Sequence, residues 1–220
     1  MRIHYITVAT KPHSVLDNIK NKVDNNNESI HILGENEKRY IGWNANGNFG
    51  LKIKLVQDYL FNNNLQDEDI ILFTDAYDVI YHGDFSLIYS RFCNFNKPIV
   101  FGAETCCNPD PSLQKYYNNI NYTFPYLNSG LYIGKVWALK ECLRNYKYDD
   151  NHDDQLFWTH CLLRYPDKIE LDYNNELFLN THNIDIEDIC INKSIIHFKN
   201  KTPIFIHVNG PNKSDLDKFL

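Results

Sequence analysis

The segment Ile70-Ile71-Leu72-Phe73-Thr74 constrains this chain more than any other, because it is short, almost wholly apolar and followed at once by Asp75-Ala76-Tyr77-Asp78. A run without the alternation of a half-exposed strand fits a strand covered on both faces, the usual condition in the parallel sheets of α/β proteins. Two carboxylates then stand just past its carboxyl end, where open α/β sheets place their ligands. Hard oxygen ligands there suit Mn²⁺ or Mg²⁺ bridging a diphosphate. The ordinary alternative is a solvated turn in which Asp75 or Asp78 caps nearby amides, and the local pattern does not choose between them.

The flanking sequence alternates in the same sense. Residues 3–9 read as a strand closed by Thr10-Lys11-Pro12, and Val15, Leu16, Ile19 and Val23 follow at helical spacing. A strand over 29–33 ends at Gly34, and a Gly/Asn-rich loop through Gly42, Gly47 and Gly50 leads to a helix carrying Leu51, Leu55, Val56, Tyr59 and Leu60. Beyond the two carboxylates, Asp84 is placed to cap a helix bearing Phe85, Leu87, Ile88 and Phe92, and 98–103 returns as a strand. Later elements are a small strand over 131–133, helices over 135–144 and 153–163, and short strands near Ile169, Ile195 and Ile204, with an acidic polar segment among them. The pattern predicts one α/β domain over 1–220, with a mostly parallel N-terminal half.

Composition excludes several classes. A net charge of −6 argues against nucleic-acid binding, which needs clustered Lys and Arg. No stretch approaches the roughly 20 apolar residues of a membrane span, and Met1-Arg2-Ile3-His4-Tyr5 leads into a strand instead of a signal segment, so no address is expected and the compartment stays open. Cys93, Cys106, Cys107, Cys142, Cys161 and Cys190 show no CxxC spacing, which argues against a zinc site and favours buried free thiols.

Two further constellations carry chemistry. In Ile204-Phe205-Ile206-His207-Val208-Asn209-Gly210-Pro211-Asn212-Lys213 an apolar strand delivers a histidine, a Gly-Pro turn offers backbone amides and a lysine follows, a fitting set for a metal ligand beside a diphosphate. A hydrogen-bonded core histidine is the plain alternative for His207. In Asn128-Ser129-Gly130 and Asp153-Asp154-Gln155 the side chains offer the fixed donors and acceptors that sugar hydroxyls require, although acids in a first helical turn also complement the helix dipole. Glu104, at a strand end, reads as a hydroxyl ligand or a solvated acid.

Taken together, Ile6-Thr7-Val8-Ala9-Thr10-Lys11, Phe73-Thr74-Asp75-Ala76-Tyr77-Asp78-Val79, Ala103-Glu104, Leu127-Asn128-Ser129-Gly130, Asp153-Asp154-Gln155-Leu156-Phe157 and His207 through Lys213 resemble the glycosyltransferase domain of the multifunctional procollagen lysyl hydroxylases. The resemblance runs in order across nearly the whole chain. It implies a type-A glycosyltransferase fold, a Rossmann-like mostly parallel sheet with helices on both faces, a nucleotide-binding half (1–105) and an acceptor half (106–220). It implies Mn²⁺ held by Asp75, Asp78 and His207, uracil stacked on Tyr77 beside Thr10, and a diphosphate held by Gly210 and Lys213, with Lys52 as a second cation. Asn128, Asp153, Asp154 and Gln155 would line the donor sugar or acceptor, and Tyr40 and Trp43 are candidate donor-site aromatics. The implied reaction moves glucose from UDP-glucose to galactosyl-hydroxylysine of collagen or a collagen-like glycopeptide with retention, in enzymes whose precedent is the endoplasmic reticulum lumen. Hydroxylation is not expected, since the resemblance is to the glycosyltransferase domain and not to the hydroxylase domains of those enzymes.

Three other functions remain open from sequence. An inverting UDP-galactose:hydroxylysine galactosyltransferase would share the fold and metal. A non-catalytic carbohydrate or UDP-sugar-binding protein would be marked by loss of Asp75, Asp78 or His207, and all three are present. A metal phosphohydrolase of the haloacid-dehalogenase type would need its two Asp two positions apart, and here they are three apart.

Overall fold

The computed structural model describes residues 1–42 and 47–220. In chain order the elements are β1 (Ile3–Val8), α1 (Ser14–Asn25), β2 (Ile30–Leu33), α2 (Phe49–Asn62), β3 (Ile70–Asp75), β4 (Val79–Tyr81), α3 (Phe85–Phe92), β5 (Ile99–Glu104), β6 (Tyr126–Lys135), α4 (Val136–Leu143), α5 (Asp154–Arg164), β7 (Ile169–Asp172), β8 (Phe178–Asn180), β9 (Ile189–Asn192), β10 (Ile195–Phe198) and β11 (Phe205–His207). Helix starts follow the sequence chemistry. Asp84 accepts from the Leu87 N–H to cap α3, and Asp153 accepts from the Leu156 N–H to cap α5, each at 2.8 Å.

The main sheet has the order β2-β1-β3-β6-β5-β7. Pairing is parallel throughout except at β6, which runs antiparallel to both β3 and β5. The apolar run Ile70–Thr74 is buried at every position, as a strand covered on both faces must be. A small sheet, β4-β11-β8, carries β11 antiparallel to β4 and parallel to β8, and β9 and β10 form a hairpin. Because β6 inserts between β3 and β5, a strand from the second half of the chain lies at the centre of a sheet built mostly by the first half.

Rings tie the layers together. Tyr81 stacks on Phe205 at 4.9 Å, and Tyr5 of β1 meets both edge-on, which docks the small sheet on the main one. On β6, Tyr132 stacks on Phe73 at 4.7 Å and meets Trp158 of α5 at 5.3 Å. That contact sets α5 over β6 and fixes where its first residue, Asp154, stands.

Three expectations need correction. The small strand over 131–133 is the second half of a ten-residue strand, so Asn128, Ser129 and Gly130 lie inside a buried strand and not ahead of one. Those residues have low strand propensity: Asn128 pairs with Gly102 of β5, and Ser129 and Gly130 fall at the register shift between Phe101 and Gly102. The polar segment after β7 also contains β8 and β9. Finally, all six cysteines are free, but Cys93 and Cys190 are exposed, not buried. No described helix is long and apolar enough to cross a membrane.

Candidate active site

Strand ends converge on one cleft of about 600 Å³. β3 ends at Asp75, β4 begins after Asp78, and β11 ends at His207, whose register partner on β4 is Val79. The Val208 N–H donates to the Asp78 carbonyl at 2.9 Å, which holds the two segments together. His207 Nε2 then lies 3.4 Å from Asp78 Oδ1 and 3.8 Å from Asp75 Oδ2, and one ligand atom from each residue falls within 4.8 Å of the others. Two carboxylate oxygens and an imidazole nitrogen suit a divalent cation such as Mn²⁺ or Mg²⁺. Gly130 leaves the room: a Cβ there would stand 2.3 Å from His207 Cε1 and 2.8 Å from Asp75 Oδ2. The residues therefore fit a metal centre.

Cations border it on two sides. Lys213 Nζ donates to Asp78 Oδ2 and to the Val208 carbonyl, each at 2.6 Å. Burial would raise the Asp78 carboxyl, but His207 and Lys213 outweigh it and hold it well below the ordinary carboxylate range. Lys52, on α2 and 8% exposed, reaches Asp75 Oδ1 and Asp154 Oδ2, each at 2.7 Å. Burial works against its charge, yet Asp154 and Asp75 raise the ammonium above its usual value. Burial raises the Asp154 carboxyl, partly offset by Lys52, and Ser129 Oγ donates to it at 2.9 Å. Lys52 thus ties Asp75 to Asp154 at the cleft lining.

The cleft wall is an amide network around Glu104. Its carboxylate accepts from Gln155 Nε2 at 2.7 Å, Asn209 Nδ2 at 2.8 Å and Asn128 Nδ2 at 3.3 Å. Glu104 is only 2% exposed, so it is not a solvated acid, and it lines the cleft. Burial pushes its pKa up to about 7 against those three donors. Since the folded value exceeds the ordinary 4.5, the native state holds the extra proton between pH 4.5 and 7. The stabilisation from that proton is complete below the lower value and lost as pH rises through the upper one. Denaturant unfolding at pH 5 and pH 8 should show a fall in stability of up to about 3 kcal/mol from this group. Glu104→Gln should remove this group's share and leave that of Asp172, whose carboxyl burial pushes up to about 6, and an equally steep loss in that variant contradicts the assignment.

Asn128 does not stand apart from the metal cluster. Its Oδ1 accepts from the Gly130 N–H at 3.0 Å and lies 3.1 Å from His207 Nδ1. Its Nδ2 faces Glu104 and Gln155. Asp153 has one oxygen on its own helix cap, while Gln155 also donates to the Asn108 carbonyl at 3.1 Å. Gly210 has φ +88°, and a Cβ there would meet His182 Nδ1 at 2.6 Å, so the turn beside Lys213 requires glycine.

Thr10 and Tyr77 sit outside the cleft lining, at the carboxyl end of β1. Tyr77 Oη accepts from the Thr10 N–H at 2.8 Å and from the Lys11 N–H at 3.1 Å, and its ring lies 5.3 Å from His13. Lys11 Nζ stands over both Tyr77 and Tyr40. Trp43 lies outside the described residues. Sequence reasoning missed Asn180 and His182, which sit in the polar segment without a local motif. It also missed the depth of Glu104, whose partners are remote in sequence.

Three groups that could hold a divalent metal thus meet where β3 of the main sheet and β11 of the small sheet end, beside a lysine and a Gly-Pro turn. The solved structure of a glycosyltransferase involved in glycosylation of the major capsid of PBCV-1 shares the fold, with a TM-score of 0.56 at 12% identity over 99% of each chain. The chain belongs to the family described as the PLOD GT domain, whose model matches residues 1–220, and it is a sugar-transferring enzyme. Among curated relatives, the multifunctional procollagen lysine hydroxylase and glycosyltransferase of Caenorhabditis elegans is 30% identical over 96% of this chain and 31% of its own length. The human procollagen-lysine,2-oxoglutarate 5-dioxygenase 2 is 28% identical over 97% of this chain and 30% of its own length. The chain thus spans about a third of the length of these relatives.

Proposed function

We propose that the protein transfers glucose from UDP-glucose to galactosyl-hydroxylysine in collagen or a collagen-like polypeptide, with retention and with Mn²⁺ as cofactor. The observation that carries the metal-dependent UDP-sugar part is the meeting of Asp75, Asp78 and His207 beside Lys213. Glucose, galactosyl-hydroxylysine and retention are what the resemblance implies, and the family model and the name of the Caenorhabditis elegans relative support glycosyl transfer.

The leaving group is UDP, and breaking the sugar–phosphate bond leaves charge on its oxygens. A divalent cation held by Asp75, Asp78 and His207 would stabilise that charge as a Lewis acid. Lys213 Nζ and the amides of the Asn209-Gly210 turn add fixed positive potential from the same side, where preorganised donors are most effective. Tyr77 would lie against uracil, with its hydroxyl fixing Thr10 and Lys11. Tyr77→Phe therefore removes the anchor of that loop and is not a silent change. Asp154, Asp153 and Gln155 would orient the transferred sugar or the acceptor. Attack from the same face, with UDP accepting the acceptor's proton, is the favoured course, and Asp154, which lines the cleft, is the candidate for positioning or nucleophilic duty.

One observation favours a second reading. Glu104, with a pKa of about 7 in the cleft wall, has the basicity of a general base, and an inverting galactosyl transfer to hydroxylysine would use one. Incubation with UDP-glucose, UDP-galactose and UDP-N-acetylglucosamine, each with a galactosyl-hydroxylysine peptide and with a hydroxylysine peptide as acceptor, followed by NMR of the product's anomeric proton, separates the two. An α-linked glucosyl product supports the first reading, and a β-linked galactosyl product replaces it with the second.

A further inference from the structure

We propose that Asn180 is a positioning residue for the metal centre: its buried amide holds His207 in the tautomer that turns the Nε2 lone pair toward the space shared with Asp75 and Asp78. This rests on the metal reading given above. Asn180 is the last residue of β8, pairs in register with His207 on β11 and is fully buried. Its Nδ2 donates to the Ala103 carbonyl oxygen at 2.9 Å, which fixes the direction of the amide because a carbonyl oxygen only accepts. Oδ1 is thereby left 2.8 Å from His207 Nδ1. An amide oxygen also only accepts, so Nδ1 carries the proton and donates it.

The consequence falls on the other side of the ring. With one proton held on Nδ1, an imidazole that has given up its other proton presents an unprotonated Nε2 to the two carboxylates, 3.4 Å from Asp78 and 3.8 Å from Asp75. The opposite tautomer would aim an N–H into the same space and exclude a cation. Asn128 Oδ1 stands farther from Nδ1, at 3.1 Å, and already accepts from Gly130. Gly102 makes the arrangement possible, since a Cβ there would stand 2.9 Å from Asn180 Nδ2. Asn180 does not line the cleft and acts through His207. A partner of this kind commonly sets metal affinity within a factor of about 10–100.

The test is Mn²⁺ titration calorimetry on the whole chain without donor, with His207→Ala as reference. Asn180→Ala should weaken Mn²⁺ binding about 10–100-fold. Asn180→Asp keeps an acceptor against Nδ1, so its Mn²⁺ affinity should stay within a few-fold of wild type, although losing the bond to Ala103 lowers its melting temperature. A merely structural role predicts that Mn²⁺ affinity follows stability in both variants. Gly102→Ala displaces the amide without removing a hydrogen-bonding group, and it should also weaken Mn²⁺ binding, which keeps the test available if Asn180→Ala does not fold. Wild-type Mn²⁺ affinity in Asn180→Ala or Gly102→Ala, or equal loss in the Ala and Asp variants, overturns the role. Failure of wild type to bind Mn²⁺, or full binding by His207→Ala, overturns the metal reading itself and the positioning role with it.

Discussion

Replacing Asp75, Asp78 or His207 singly by alanine is expected to lower sugar transfer by about 100-fold or more while leaving the protein folded. Groups that merely orient a metal's ligands are worth about 10–100-fold in affinity or activity, and a ligand itself should be worth no less. The three arrive from two sheets, β3 and its following turn on one side and β11 on the other, so loss of one leaves the strands in place. His207 is the most exposed to a packing artefact, being 3% accessible, so near-ultraviolet circular dichroism should accompany its assay. Steady-state UDP release with saturating Mn²⁺ makes the measurement. Near wild-type turnover in any two of the three variants contradicts the metal assignment.

The second large effect belongs to Lys52. Its ammonium lies between Asp75 and Asp154, and the Lys52 and Asp154 side chains are 10% and 9% accessible. Lys52→Met keeps the length and the apolar stem but leaves the Asp154 carboxylate buried without its partner. Breaking a buried pair from one side costs about 3–5 kcal/mol, because the remaining charge is uncompensated. At this chain length that corresponds to a fall in melting temperature on the order of 10 °C. Adding Asp154→Asn should recover most of the loss, since the uncompensated charge is then gone, and differential scanning calorimetry of the single and double variants gives the coupling. A double variant no more stable than Lys52→Met would show that Lys52 acts through packing alone.

These two effects locate what the sequence could and could not reveal. Asp75 and Asp78 were legible because an apolar strand ending in carboxylates is a local pattern, and so were the caps Asp84 and Asp153, whose partners lie three residues away. Lys52 was legible as a cation after a Gly-rich loop, but not as the bridge between residues 75 and 154, since its partners come from two other elements. The same limit hid Glu104, whose amide donors come from residues 128, 155 and 209. Asn, Ser and Gly form strands poorly in isolation, so the local pattern reveals only the second half of β6, while burial and the pairing of Asn128 with Gly102 on β5 carry the strand through them. Asn180 carries no motif at all; its role appears only when β8 and β11 are seen side by side.

The central claim is that this cleft is a metal-dependent UDP-sugar site. The most direct measurement is UDP release from UDP-glucose by the whole chain after chelation, with Mn²⁺ then restored, in the presence and absence of a galactosyl-hydroxylysine peptide. The account predicts almost no release in chelator, slow release with Mn²⁺ alone, and a marked rise when the peptide is added. Release that is the same in chelator as in Mn²⁺ would contradict it.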